Sequence, residues 1–181
     1  MTPTNEFTQI PFPKNRKLVI DVLELGRLKH HIPGFIEFDV TAARVYLHEL
    51  KAKTGNSLSF TAWLAKCVAQ AVSEHKQVHA LRRGQRSMII FNDVDVLVMV
   101  EKKIGIDILS RPLIIRKVNE KSVRQIHDEI RTAQSQPIDA DSLLVGDSPW
   151  FAHFYLALPK FIRILLGRKI MSDPFLLKKM V

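Results

Sequence analysis

The chain has 181 residues, of which 46% are hydrophobic, so it is long enough to bury one core and too short for two large domains. The charged fraction of 25%, together with ten phenylalanines, excludes an intrinsically disordered protein. A single cysteine excludes an intrachain disulfide, and the formal charge of +9 favours anionic partners such as a phosphorylated cofactor or an acidic membrane surface. The basic residues are scattered and form no arginine-rich arm, so we expect no nucleic-acid partner.

Neither a signal peptide nor a membrane span is predicted. The start of the chain lacks the basic residues and the apolar run of a signal peptide. The longest apolar stretch, 154–166, is interrupted by Pro159, Lys160 and Arg163 and falls short of the roughly 20 residues that a membrane helix needs. These features predict a protein of the reducing cytoplasm.

The first third of the chain is predicted to contain an arm, a strand and a helix. Residues 1–15 contain three prolines, which favour an extended arm, whereas the pattern over 17–29 does not decide between element types. Apolar and acidic residues alternate over 35–40, as in a half-buried strand. Thr41 is a candidate cap for the helix that follows, and Gly55 can adopt the left-handed conformation that ends it.

A second helix is predicted to begin after Ser59, whose hydroxyl can accept a hydrogen bond from an exposed amide. Cys67 falls beside the apolar stripe of this helix, so we expect a buried structural thiol and not a nucleophile. The stripe consists of residues at helical spacing, namely Phe60, Leu64, Val68, Ala71 and Val72.

Branched residues then predict several strands. The runs 88–91 and 94–100 are two of them, and the second run is almost continuously apolar, which predicts a strand covered on both faces. Segments 104–109 and 113–115 lie on either side of Pro112 and form either another strand pair or one bent strand.

The last third is predicted to be helical. Asn119 is a candidate cap for a helix that ends before Pro137, and a loop over 138–149 then leads to two short helices over 150–158 and 160–170. On the helix that ends before Pro137, the apolar stripe comprises Val123, Ile126, Ile130 and Ala133 or Gln134.

Chemical motifs are few. His75 and His79 are four residues apart, as two zinc ligands on one helix face would be, but no third ligand accompanies them, so we predict no metal site. The glycines form no phosphate-binding loop. The segment 150–170 combines aromatic and aliphatic residues with basic ones, and it either packs on a protein surface or lies on a membrane surface.

Several segments occur in an order that resembles the acyltransferase components of 2-oxoacid dehydrogenase complexes. His31-Ile32-Pro33 leading into residues 35–40 is similar to the entry to that family's first core strand, and the helix over 60–72 is similar to its next helix. The resemblance covers residues 16–134 and continues through Phe91-Asn92-Asp93-Val94-Asp95-Val96, Gly105-Ile106-Asp107-Ile108-Leu109, Leu113-Ile114-Ile115-Arg116 and Asn119-Glu120-Lys121-Ser122.

The resemblance implies a two-layer α/β sandwich with a mixed β-sheet and packed helices, like chloramphenicol acetyltransferase, incomplete at the C-terminus. It also implies a homotrimer whose channel at the subunit boundary admits acyl-coenzyme A from one side and the acyl acceptor from the other. His31 and Phe35 are implied to border the substrate channel. The chain then divides into an arm (1–15), a partial acyltransferase-like domain (16–136), and a loop with amphipathic helices (137–181) within the same domain.

Family members use a histidine in an Asp-His-Arg motif ending in Asp-Gly as the base, and a serine or threonine as the oxyanion donor. Neither motif occurs here, and the nearest histidine, His153, precedes Phe154 and Tyr155. We therefore assign no catalytic residue and expect an acyltransferase that is inactive unless a companion chain supplies the missing C-terminal half. The sequence also lacks the family's lipoyl attachment site.

Two other hypotheses remain open. A non-catalytic protein would use the trimer surface or the 150–170 helices to bind a partner or a membrane surface. A truncated gene product would expose strand edges and aggregate.

Overall fold

A computed structural model describes residue 12 and residues 14–104, 107–136, 154–155 and 157–180. The helices within these ranges are α1 (Lys14–Gly26), α2 (Thr41–Thr54), α3 (Phe60–Glu74), α4 (Val123–Ser135), α5 (Lys160–Ser172) and α6 (Pro174–Met180), with a 3-10 helix at Lys76–His79. The strands are β1 (Leu81–Arg83), β2 (Ser87–Ile89), β3 (Val96–Ile104) and β4 (Asp107–Ile115). The predicted loop over 138–149 and His153 lie outside the described residues.

The core forms where α4 packs on one face of the β3–β4 pair and α3 packs against α4. The two strands are antiparallel, from Val96 opposite Ile115 to Ile104 opposite Asp107, and β4 continues through Pro112 as one strand. This layering of helices on a sheet confirms the predicted α/β class, and the described strands form two antiparallel pairs, β1–β2 and β3–β4. The buried core residues are Ala62, Ala65, Ala69, Val94, Val100, Ile115, Val118, Ile126 and Ile130.

The described residues cover strand β3 on one face only, so they do not provide the second covered face that the sequence predicts. Val94 and Val100 are buried under the helices, whereas Leu97 and Met99 are more than half exposed. Pro112 and Ile114 lie opposite Met99 and Leu97 in the antiparallel register, so their side chains share that outer face. The apolar run therefore indicates that both faces of β3 are apolar, and the described residues bury one of these faces.

Helix α3 is also apolar on two sides, and it buries the side that was not predicted. Ala62, Ala65 and Ala69 face the core, whereas Leu64 and Val68 of the predicted stripe are about half exposed. At 100° per residue, position 67 lies opposite the alanines, and Cys67 is exposed, which corrects the expectation of a buried thiol. Periodicity alone cannot choose between two apolar faces of one helix.

The ends of α2 and α3 follow the sequence closely. The Ser59 hydroxyl accepts a hydrogen bond from the Ala62 amide at 3.1 Å, and Gly55 has a φ of 69°, which confirms both predictions. Thr41 is not the cap of α2, because its amide donates to the carboxylate of Asp39 at 2.9 Å. Thr41 is the first residue of the helix, and Val40 at the cap position makes no capping hydrogen bond with its side chain.

Asn119 is not the cap of α4 either. Ser122 caps this helix and forms a reciprocal pair of hydrogen bonds with Gln125. The Asn119 side chain instead accepts a hydrogen bond from the Val94 amide at 2.8 Å, and its carbonyl accepts one from the Lys66 ammonium at 2.7 Å. These long-range bonds tie the turn after β4 to β3 and α3.

The N-terminal segments differ from the predictions in two places. Helix α1 begins at Lys14, so the last two residues of the predicted arm are helical, whereas residues 1–11 and 13 lie outside the described part. The strand predicted over 35–40 is wrong, because these residues have no regular structure and no described strand lies beside them. An alternating pattern becomes a strand only when a neighbouring strand accepts its hydrogen bonds.

A buried ion pair joins α1 to α5. Asp21 is 1% exposed and Arg163 is 8% exposed, and the guanidinium contacts the carboxylate through Nε at 2.6 Å and Nη2 at 3.2 Å. The Arg163 Nη1 group donates to the Leu158 carbonyl at 2.8 Å, and the Tyr155 hydroxyl donates to the Arg163 carbonyl at 3.2 Å. The predicted second helix of the 150–170 segment is thereby confirmed and anchored through one face.

Candidate functional site

The segment that connects α1 to α2 contains both residues predicted to border a channel. His31 is exposed, Phe35 is 97% exposed, and neighbouring Ile32, Ile36 and Phe38 are similarly open to solvent. Such a group of large apolar side chains on an extended segment is typical of a surface that another molecule covers. The structure brings neither His31 nor Phe35 against a second candidate residue, so their role in a channel stays a prediction.

A cationic and aromatic cluster lies just beyond this segment, where α2 meets the start of α3. The Arg44 guanidinium lies 4.4 Å from the centre of the Phe60 ring, and the Phe60 and Trp63 rings are 5.4 Å apart. The ring holds an exposed guanidinium in place, and such a group can bind a phosphate or carboxylate. Sequence reasoning missed Arg44, because this residue belongs to no recognisable motif.

His127 is the histidine most firmly held among the described residues. It is buried on α4, and its Nδ1 accepts a hydrogen bond from the Ser59 amide at 3.0 Å. Burial lowers the pKa of His127, and the nearby Arg131 and Arg124 lower it further against the opposing effect of Asp128. The imidazole is therefore neutral and links α4 to the start of α3, which makes it a structural group and a poor general base.

We predict that His127→Ala destabilises the fold by about 1–3 kcal/mol near neutral pH, because the buried Ser59 amide loses its acceptor. The unfolded imidazole, with a pKa near 6.5, binds a proton more readily than the folded one, so the stabilisation is present above that pH and is lost as the pH falls below it. Urea unfolding of both proteins at about pH 7.5 and about pH 5 measures this difference. If the difference in unfolding free energy between the wild type and His127→Ala is as large at the lower pH as at the higher one, the assignment is wrong. His48→Ala, on exposed α2, is the control.

Two further histidines lie near the end of α3. His79 lies in the 3-10 helix with its Nε2 at 3.0 Å from the Phe91 carbonyl, and its buried Nδ1 has no hydrogen-bond partner there. His75 is exposed at the end of α3. In the part of the chain that the structure describes, no group of three or more histidine, cysteine, aspartate or glutamate side chains is arranged to hold a metal ion.

Two acidic side chains just before β3 form ion pairs. Asp95 accepts hydrogen bonds from Arg116 at 2.8 Å and from the Lys117 amide at 2.9 Å. Burial raises the pKa of Asp95, but these two bonds and the positive charges of Arg116 and Lys178 together outweigh burial and hold the pKa below its usual value. Asp93 lies within 4 Å of Lys117 and Lys178 and so links this edge of the sheet to α6. Both carboxylates are engaged by basic side chains, and neither is placed to act as an acid or a base in catalysis.

Comparison with known proteins adds what this geometry alone does not show. Residues 4–139 match the sequence profile of the family described as 2-oxoacid dehydrogenases acyltransferase (catalytic domain). The matched range includes α1 to α4 and all four strands. No protein with a curated description matches the chain significantly.

Several solved structures share the fold. A dihydrolipoamide acetyltransferase of Azotobacter vinelandii, studied for the roles of a serine, a histidine and an asparagine in its catalytic mechanism, has a TM-score of 0.60 and 20% identity over 79% of this chain and 61% of that chain. A truncated catalytic core of the 2-oxoacid dehydrogenase multienzyme complex from Thermoplasma acidophilum has a TM-score of 0.57 and 19% identity, covering 80% and 66%. A probable dihydrolipoamide acetyltransferase from Listeria monocytogenes has a TM-score of 0.57 and 22% identity, covering 78% and 62%. The chain thus spans less than two thirds of each of these structures.

Proposed function

The chain belongs to the family of 2-oxoacid dehydrogenase acyltransferases, whose catalytic-domain profile it matches, and from this premise we propose that it takes part in acyl transfer from coenzyme A to an acceptor. In that reaction the acceptor's thiol, hydroxyl or amine attacks the thioester carbonyl, the acyl group forms a bond to the acceptor, and coenzyme A leaves with a free thiol. The observation that carries this proposal is the match over residues 4–139, which includes the whole packed core.

Acyl transfer needs a base for the acceptor and a hydrogen-bond donor for the oxyanion. The base must be held by an orienting group and must reach the acceptor. His127 uses its Nδ1 for the Ser59 amide, and His79 is turned toward the Phe91 carbonyl. Since the sequence also contains no Asp-His-Arg motif, we infer that a companion polypeptide supplies the base and the oxyanion donor.

The segment with His31 and Phe35 is our candidate for one wall of the substrate channel. Its apolar side chains contact little of their own chain, as Phe35 at 97% exposure illustrates, and a neighbouring subunit would cover them. Arg44, in the first turn of α2 just beyond this segment, offers a fixed cation for a phosphate group of coenzyme A. The proposal therefore places substrate between subunits, with this chain contributing part of the lining.

The test is to incubate the chain with acetyl-coenzyme A and an acceptor and to measure the acetylated product by mass spectrometry. Dihydrolipoamide is the first acceptor to test, because two of the similar structures are dihydrolipoamide acetyltransferases. We expect no acceptor-dependent product above the uncatalysed rate from the chain alone. Steady product formation by the chain alone would show that it contains its own base and would overturn the inference of a companion.

The outer face of the β3–β4 pair supports a further part of the proposal, assembly into a homotrimer. Leu97 and Met99 are apolar and more than half exposed, and Ile114 shares their face. One of the similar structures is the core of a multienzyme complex. Apolar side chains at this density are typical of interfaces between subunits.

We predict that Met99→Glu shifts the protein from trimer to monomer, because a carboxylate on the outer face would lose its hydration when the interface forms. Sedimentation equilibrium measures the mass. Tyr46→Glu on exposed α2 is the matched control and is expected to leave the mass unchanged. A wild-type chain that is monomeric at every concentration, or a Met99→Glu variant that remains trimeric, would contradict the assignment of this face.

A further inference from the structure

Helix α5 is fixed to the chain through one face. Arg163 forms the buried ion pair with Asp21, and Gly167, one turn later, lies against Leu25 of α1. A methyl group at position 167 would collide with the Leu25 side chain, so the glycine allows this close approach of α5 to α1. The orientation of α5 is therefore set, and with it the direction in which the opposite face points.

The opposite face of α5 combines large apolar side chains with basic ones. Phe161 is 72% exposed and Leu165 is 68% exposed, and Arg168 and Lys169 follow one turn further along. Positions three and four apart lie on one side of a helix, so these four side chains form a continuous strip, which we call the α5 strip. Neither Arg168 nor Lys169 has an ion-pair partner among the described residues.

The charge of this region indicates what the α5 strip binds. Residues 160–180 contain six basic residues and one acidic residue, in a chain whose formal charge is +9. Lys160 and Arg163 are paired with Glu24 and Asp21, and they do not contribute to the strip. The two cations beside Phe161 and Leu165, Arg168 and Lys169, complement a surface that is anionic outside and apolar beneath.

We propose that the α5 strip docks the protein on an anionic phospholipid surface. Phe161 and Leu165 enter the boundary between headgroups and acyl chains, and Arg168 and Lys169 lie at the phosphate and carboxylate groups of the lipids. In this proposal one face of one helix meets the lipid surface. No helix in the described ranges is long and apolar enough to cross a membrane. This inference does not depend on acyl transfer, because the strip lies outside residues 4–139.

A lipid surface suits the α5 strip better than other anionic partners. A nucleic acid backbone would satisfy Arg168 and Lys169 but would leave Leu165 in water. A thirteen-residue helix is about 20 Å long and carries its strip along one side, as helices that lie in the plane of a membrane do. A lipid surface thus contacts both the apolar and the basic side chains of the α5 strip, and it needs no shaped pocket to do so.

The test is co-sedimentation of the 181-residue chain with vesicles of phosphatidylcholine containing phosphatidylserine and, separately, with vesicles of phosphatidylcholine alone. We expect binding to the anionic vesicles that weakens with added salt, and little binding to the neutral ones. Arg168→Gln/Lys169→Gln should weaken binding about 30-fold, and Phe161→Ser/Leu165→Ser on the order of 100-fold. All four side chains are exposed, so the variants should keep the wild-type thermal unfolding midpoint.

Lys51→Gln/Lys53→Gln is the matched control, because it removes the same charge from the end of α2. A control that weakens binding as much as the change at Arg168 and Lys169 would overturn the proposal in favour of general electrostatic attraction. Absence of binding to anionic vesicles would overturn it as well. A reduced solution mass of the Phe161→Ser/Leu165→Ser variant would reassign the α5 strip to contacts between copies of the chain, and RNA binding that depends on Arg168 and Lys169 with no vesicle binding would reassign it to nucleic acid.

Discussion

Asp21→Ala is expected to cost about 3–5 kcal/mol of unfolding free energy, the largest effect of any single change that we predict. The change would leave the Arg163 guanidinium buried without its carboxylate, although the Leu158 carbonyl would still accept one hydrogen bond. The remaining charge cannot easily reach water, because Arg163 is only 8% exposed. Chemical denaturation followed by circular dichroism measures the loss.

Two further variants separate the buried pair from ordinary surface charge. Asp21→Leu/Arg163→Met removes both charges together and should recover most of the stability, because no buried ion remains unpaired. Lys160→Gln breaks the exposed pair with Glu24, which joins the same two helices, and should cost less than about 1 kcal/mol. If Asp21→Ala costs no more than Lys160→Gln, the pair does not anchor α5.

Ile126→Ala is expected to cost about 2–5 kcal/mol, because Ile126 is completely buried where α4 meets α3 and the sheet. The lost methyl and methylene groups leave a cavity that the short alanines of α3 cannot fill. Urea unfolding measures the change, and the slope of free energy against urea concentration should stay constant if only stability changes.

Leu64→Ala is the matched control for this core change, because Leu64 is of similar size and lies on the exposed face of α3. In a dilute monomer it should cost less than about 1 kcal/mol. An equal cost for both variants in the monomer would mean that Leu64, and with it the predicted stripe of α3, is buried as well as the alanine face. An equal cost that appears only at high concentration would instead locate Leu64 in an interface.

The sequence predicts a feature correctly when that feature depends only on residues close to it in the chain. The cap at Ser59, the end at Gly55 and the stripe of α4 depend on residues within one or two turns, and the structure confirms them. Asn119 is as suitable a cap by type as Ser122, and a hydrogen bond to Val94, 25 residues away, decides against it. No local pattern could have indicated that bond.

Apolar patterning predicts how many faces are apolar but not what covers them. Helix α3 and strand β3 each have two such faces, and the described chain buries one of each. The pairing of Asp21 with Arg163 spans 142 residues and leaves no periodic signal in the sequence. For the site, the sequence indicated the acyltransferase family. The contact of Arg44 with an aromatic ring and the structural role of His127 could be seen only in the three-dimensional structure.

Complementation tests the central claim most directly. The chain is mixed with acetyl-coenzyme A, dihydrolipoamide and a second polypeptide that carries the family's Asp-His-Arg motif and oxyanion strand, and acetylated product is followed over time. We expect product only when both polypeptides are present. In the same mixture, Phe35→Ala should raise the acceptor KM about tenfold. Turnover by this chain alone, or a stable complex of the two polypeptides that forms no product, would contradict the central claim.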